Sequence, residues 1–223
     1  VSRQSGGGLP VGKMAAGVSS AVFPNGVDTV LFPVQSEQAQ DPVPTVLFPG
    51  SFDYFPNWEG ARFLLQEVWP IVEKKIPGAR LILAGRAAAT VPVAAYAGNG
   101  SVEAASNVPA MARMFGRCWV IAVPLLSGGG TRLKILEALS SQRAVVSTSL
   151  GAAGVPYQSG VHLQLADTAE DFAAAICRLL LQDTERRRLA AAGAAYVRQN
   201  YDWQQLAVQM LADVRTALQA HSR

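Results

Sequence analysis

Four times in this chain a short run of apolar, β-favouring residues is followed closely by glycine. The runs are Thr45-Val46-Leu47-Phe48 before Pro49-Gly50, Arg80-Leu81-Ile82-Leu83-Ala84 before Gly85, Cys118-Trp119-Val120-Ile121-Ala122-Val123 ahead of Gly128-Gly129-Gly130, and Ala144-Val145-Val146-Ser147-Thr148 ahead of Gly151. They are continuous rather than alternating, so each strand expects apolar cover on both faces, the condition inside a parallel sheet. Between them lie stretches of helical period. Ala61, Leu64, Leu65, Val68, Trp69 and Val72 recur at spacings of three and four across residues 57–76, with Glu59, Gln66, Glu73 and Lys74 elsewhere on the wheel. Strand and helix in alternation, joined by right-handed crossovers, predict an α/β fold, a doubly wound parallel sheet of Rossmann-like type.

The remaining elements follow the same logic. Pro70 is expected to kink the helix over 57–76. Residues 101–105 predict a short strand, 108–115 a helix begun near Asn107, 131–141 the helix after the triple glycine, and 162–165 an edge strand. Three helices close the chain over 168–181, 183–200 and 203–220, the second capped by Asp183 or Thr184. Trp203 is read as the anchor of the last helix on the core. Residues 1–44 read as an N-terminal extension or interdomain linker. It is irregular to residue 20, then carries a short strand, Ala21-Val22-Phe23, turned by Pro24-Asn25-Gly26. Residues 45–223 make up the domain proper.

Composition narrows the classes of function. With 223 residues, half of them apolar and 16% charged, the chain can bury one large core. The net charge of +3 is small and the cations are scattered, so no nucleic-acid partner is expected. Cys118 and Cys177 lie in apolar segments without CxxC spacing. They predict buried thiols in a reducing, cytoplasmic setting and no metal site. No run reaches the ~20 apolar residues of a membrane span. The chain begins without methionine and is expected to be a piece of a longer protein.

In such sheets ligands bind beyond the carboxyl ends of the strands, where the glycine loops converge. The loop from Gly128 to Thr131 offers unobstructed backbone N–H groups at a helix N-terminus, a cradle for a phosphate or diphosphate. Arg132 and Lys134 follow directly, although cations are unfavourable at the positive end of a helix unless an anion accompanies them. A plain tight turn followed by two solvated cations fits the same residues. Glu137 can share a face with Lys134 as an exposed pair, or act as a partly buried acceptor for ribose hydroxyls. Arg86 can meet a nucleotide or solvent. His162, among apolar residues, reads as structural, and His221 lies in the tail. Neither GxGxxG after the first strand nor GxxxxGK[ST] is present, and no GxSxG elbow occurs.

The ordered set of Pro24-Asn25-Gly26-Val27-Asp28, Gly50-Ser51 with Tyr54 and Pro56-Asn57, Leu83-Ala84-Gly85-Arg86, Pro124-Leu125 through Gly128-Gly129-Gly130-Thr131-Arg132-Leu133-Lys134-Ile135-Leu136-Glu137-Ala138, and Val145-Val146-Ser147-Thr148 with Gly151 resembles a family. It is similar to the C-terminal, donor-binding half of retaining GT-B glycosyltransferases, glycosyltransferase group 1. The resemblance implies that residues 45–223 bind a nucleotide-diphosphate sugar as donor substrate, with no tightly bound cofactor. It implies a base near Gly85, Arg86, Asn107 and Val108, a ribose on Glu137, and a diphosphate on the amides of Gly129, Gly130 and Thr131. Gly50 and Ser51 would line the pocket, and Arg132 and Lys134 would be the catalytic cations. The acceptor, a sugar or a lipid-linked or other glycan, would be held by an N-terminal domain, and the full-length protein could be membrane-peripheral. Two departures stand out. Gly129 occupies the place where many members have a second glutamate, and Ser51 and Asn57 stand where many have an arginine and a lysine. A stand-alone or degenerate nucleotide-binding module and a sugar-nucleotide epimerase fragment are the alternatives.

Overall fold

The computed structural model describes residues 23–96 and 100–221. Among them, β1 (Thr45–Pro49), β2 (Arg80–Gly85), β3 (Val102–Ser106), β4 (Val120–Val123), β5 (Ala144–Ser147) and β6 (Gln164–Leu165) form one sheet. The order is β3-β2-β1-β4-β5-β6, with every neighbouring pair parallel. β1, β4 and β5 are buried along their whole length, as their continuous apolar runs require. The helices are α1 (Phe55–Phe63), α2 (Trp69–Lys75), α3 (Met111–Arg117), α4 (Leu133–Ser140), α5 (Ala169–Leu181), α6 (Asp183–Asn200) and α7 (Trp203–His221). Right-handed crossovers put α1 and α2 on one face, where α5 joins them, and α3 and α4 on the other. The core runs between these layers, with Trp69, Phe48, Phe115 and Phe172 among its largest wholly buried side chains.

Several boundaries differ from the sequence expectation, each for a local reason. The helix expected over 57–76 is interrupted by a π-helical segment, Leu64–Val68, in which the Trp69 N–H donates to the Leu64 carbonyl. Pro70 has no N–H for the Gln66 carbonyl and its ring crowds that group, so the extra residue of a π turn takes up the mismatch. α3 starts at Met111 rather than near Asn107, because Asn107 lies in the left-handed region at φ 55° and Pro109 holds Val108 out of helical geometry. α4 starts at Leu133, since Gly128 and Gly130 take φ of 94° and 84° and Arg132 remains outside helical geometry.

Of the strand expected at 21–23, Ala21 and Val22 lie outside the described residues and Phe23 belongs to no strand. Pairing falls instead on Val27, which bridges Asp202. Trp203 does not anchor the last helix: it is 44% exposed and lies against Gly26, while Leu206, 8% exposed, holds α7 to the body. His162 stacks on Tyr196 with ring centroids 4.1 Å apart, a packing role. Cys118 and Cys177 are buried, and burial raises both thiol pKa values.

Residues 32–41 run under the amino ends of the strands. Gln35 N–H donates to Ser141 O, and the Ser140 hydroxyl to Phe32 O. Arg143 donates to the carbonyls of Gln35 and Ser36, and Asp41 pairs with Arg117 at 3.0 Å. No described helix is long and apolar enough to cross a membrane.

Candidate functional site

The strand order reverses between β1 and β4, so the loops leaving these two strands diverge and open a crevice. The loop after β1 is fastened to the end of β2: Gly50 N–H donates to Ala84 O at 2.9 Å and Phe52 N–H to Arg86 O at 2.8 Å. Gly85, at φ 133°, allows this approach, since a Cβ there would sit 2.1 Å from the Gly50 carbonyl oxygen. The loop after β4 is fastened to β5, with the Thr148 hydroxyl donating to Leu125 O at 2.6 Å. α1 closes against the same loop at Gly60, where a Cβ would meet Pro124 O at 2.7 Å.

Within the crevice the glycine loop and α4 present their polar groups. Gly128 packs against Pro56 and Tyr54, where an added Cβ would lie 3.0 Å from Pro56 Cγ, whereas Gly129 and Gly130 have no atom of the described residues within 4 Å of an added Cβ. Arg132 curls back, its Nη1 donating to Gly129 O at 2.5 Å, and its Nε is buried without a hydrogen-bond partner among the described residues. The Thr131 hydroxyl accepts from Asn25 Nδ2 at 3.1 Å, so the segment before β1 reaches the rim of the loop. Lys134 extends across the crevice, and its ammonium donates to Asn57 Oδ1 at 2.7 Å with Nζ 4.8 Å from the centre of the Phe48 ring. Burial pushes that ammonium down to about 7; the Arg132 charge adds to the effect and Glu137 opposes it. Glu137, one turn further along α4 and partly buried, has its carboxyl raised by burial, with Lys134 opposing.

The structure thus brings Gly50, Ser51, Gly85 and Lys134 to one wall and Gly129, Gly130, Thr131 and Arg132 to the loop beside it. Arg86 follows β2 but turns to Asp53, an exposed ion pair of 2.9 Å. Asn107 and Val108 follow β3, the edge strand, two strands away from β1. In the sequence Asn57 stands in the Pro56-Asn57 piece of the resemblance and as a departure from the family's lysine, with no role of its own. Its contact with Lys134 spans 77 positions, so neither local spacing nor helical period could have revealed it. Asn25 at Thr131, 106 positions apart, was equally hidden. Among the described residues no group of three or more His, Cys, Asp or Glu side chains is placed to hold a metal ion.

The family model described as "Glycosyl transferases group 1" matches residues 43–182. A curated relative, the 44.6 kDa protein of the cps region of Klebsiella pneumoniae, is 29% identical over 165 residues, which are 70% of this chain and 42% of that protein. This chain therefore spans less than half the length of that relative. Among solved structures, Anabaena HepE in complex with UDP and glucose superposes with a TM-score of 0.73 at 16% identity, covering 87% of this chain and 56% of that one. Sucrose-phosphate synthase from Thermosynechococcus elongatus gives 0.72 at 22% identity, with 89% and 52% covered. The C-terminal domain of the group 1 glycosyl transferase LpcC from Francisella tularensis gives 0.66 at 15%, with 80% and 100% covered.

Proposed function

The chain belongs to the group 1 glycosyl transferases and has the Rossmann-like fold of one half of a GT-B enzyme, and from that premise we propose that it is the donor-binding half of a retaining glycosyltransferase. The observation that carries the reading is a partly buried cation, Lys134, that follows the glycine-rich loop on α4 and reaches Asn57 of α1 at the point where the strand order reverses. A nucleotide-diphosphate sugar fits this arrangement. Its diphosphate lies on the N–H groups of Gly129, Gly130 and Thr131 with Arg132 and Lys134 beside it, its ribose on Glu137, and its base toward Gly85, Arg86, Asn107 and Val108. Gly50 and Ser51 line the wall beside Lys134. HepE has been solved with UDP-glucose, which supports a nucleotide-sugar as the ligand class.

In the transfer step the bond between the anomeric carbon and the diphosphate oxygen breaks, a bond to an acceptor hydroxyl oxygen forms, and the proton of that hydroxyl passes to the departing diphosphate. The negative charge gathering on the departing diphosphate is met by donors fixed in advance, the usual source of electrostatic catalysis. An N-terminal domain supplies the acceptor, a sugar or a lipid-linked or other glycan, and residues 1–44 serve as the linker to it. Residues 45–223 alone bind donor and do not transfer sugar.

Calorimetry with UDP, GDP, ADP and their sugars tests the reading. At least one is expected to bind, and if none binds tighter than about 1 mM, equivalent to only ~4 kcal/mol, the donor site is refuted. Arg132→Ala should weaken diphosphates far more than the free nucleoside, and equal losses contradict its role. Gly129, exposed at the position where the family resemblance implies a second glutamate, favours a second reading: a module that holds the nucleotide without chemistry. Sugar transfer by the full-length protein separates the two.

A further inference from the structure

Asn57 is 7% exposed, and both ends of its amide are engaged. Its Nδ2 donates to Ser51 O at 2.8 Å and its Oδ1 accepts from Lys134 Nζ at 2.7 Å. Those partners determine the orientation of the amide, because an ammonium can only donate and a carbonyl can only accept. Gly50 makes the junction possible: a Cβ there would lie 3.0 Å from Asn57 Cγ and 3.2 Å from Lys134 Nζ.

The neighbours of the ammonium from β1, its following loop and α1 are Phe48, Gly50 and Asn57, none of them ionisable. The charges that act on it, Arg132 and Glu137, both belong to its own chain segment. Lys134 forms no ion pair among the described residues. One of its N–H donors is held by a neutral acceptor and its charge lies over the Phe48 ring, so no carboxylate is paired with it among the described residues.

We propose that Asn57 is a positioning residue that steers the Lys134 ammonium into the crevice while leaving its charge free for the diphosphate of the donor. The proposal rests on the donor-site reading and adds to it a device: a neutral amide on α1 and a cation delivered from α4. A proton linkage follows. Burial already draws the ammonium down to about 7, and a bound diphosphate favours the charged form. Binding therefore pulls a proton onto Lys134 above neutral pH, and none at acid pH, where the site is already protonated.

The experiment is calorimetry of UDP at about pH 8 in two buffers of different ionisation enthalpy, on wild type, Asn57→Asp and Asn57→Ser, with an NMR titration of the Lys134 side chain in the ligand-free proteins. Wild type is expected to take up a proton as UDP binds. Asn57→Asp pairs the ammonium, raises its pKa, abolishes the uptake, and weakens UDP on the order of tenfold while leaving uridine unchanged. Asn57→Ser, still neutral, keeps the uptake. Equal affinity and uptake in wild type and Asn57→Asp overturn the proposal and leave the donor site standing; absence of UDP, GDP or ADP binding to wild type sinks both. Should Asn57→Asp fail to fold, Asn57→Ala decides: weaker UDP binding with uridine unchanged supports the positioning role, and unchanged UDP affinity overturns it.

Discussion

Lys134 is the residue at which binding and stability pull in opposite directions. Its ammonium is near 7 in the folded protein against 10.5 for a free lysine. Between those values the unfolded chain holds a proton that the folded chain gives up, so stability rises with pH through this window. Below it both states are protonated and the burial penalty is fully present. Lys134→Met is therefore expected to abolish diphosphate binding yet to be more stable than wild type at neutral pH, by about 1 kcal/mol or about 2 to 4 °C of Tm in a chain this size. The gap should close toward pH 10; thermal melts across the window check this, and a gap that widened with pH would be the wrong sign. The sequence placed a cation here against the helix dipole and so flagged the position. It could not show that the cation crosses to α1, because that depends on the distance between two loops far apart in the chain.

At the scale of elements, the starts that use local chemistry were legible and those that answer to backbone geometry were not. α5 begins where expected because Thr168 caps it, its hydroxyl accepting from the Asp171 N–H at 3.1 Å. Thr168→Ala should cost about 1 kcal/mol by chemical denaturation, with no change in nucleotide affinity, since the cap follows β6, the edge strand, two strands away from β4. α3 and α4 begin later than their apolar patterns suggest because Asn107, Gly128 and Gly130 have positive φ, which composition hints at and periodicity does not encode. The later start of α4 matters functionally. It leaves Thr131 and Arg132 in the loop with Gly129 and Gly130 rather than in the first turn.

Across the whole molecule, the crevice opens at the carboxyl edge of the sheet while the segment leading into β1 is strapped beneath the amino edge. Arg143 is the buckle, 3% exposed, with five hydrogen bonds to the carbonyls of Phe115, Gly116, Gln35, Ser36 and Gln142. Two of these, Phe115 and Gly116, belong to the end of α3, where the helix dipole favours a cation. Arg143→Met strands several buried acceptors and should destabilise the fold by about 3 kcal/mol or more. Limited proteolysis of that variant is expected to cut first within residues 33–41, and cleavage elsewhere would show that the strap does not depend on Arg143. The doubly wound sheet and the loops that end its strands were determined by the sequence alone, because continuous apolar runs, glycine stops and helical period are local and each points to the same layered solution. Which residues meet was decided only by the tertiary structure. The strand order that opens the crevice between β1 and β4, the amide of Asn57 under Lys134, and the carbonyls gathered on Arg143 all arise when distant segments pack, and no spacing along the chain records such distances.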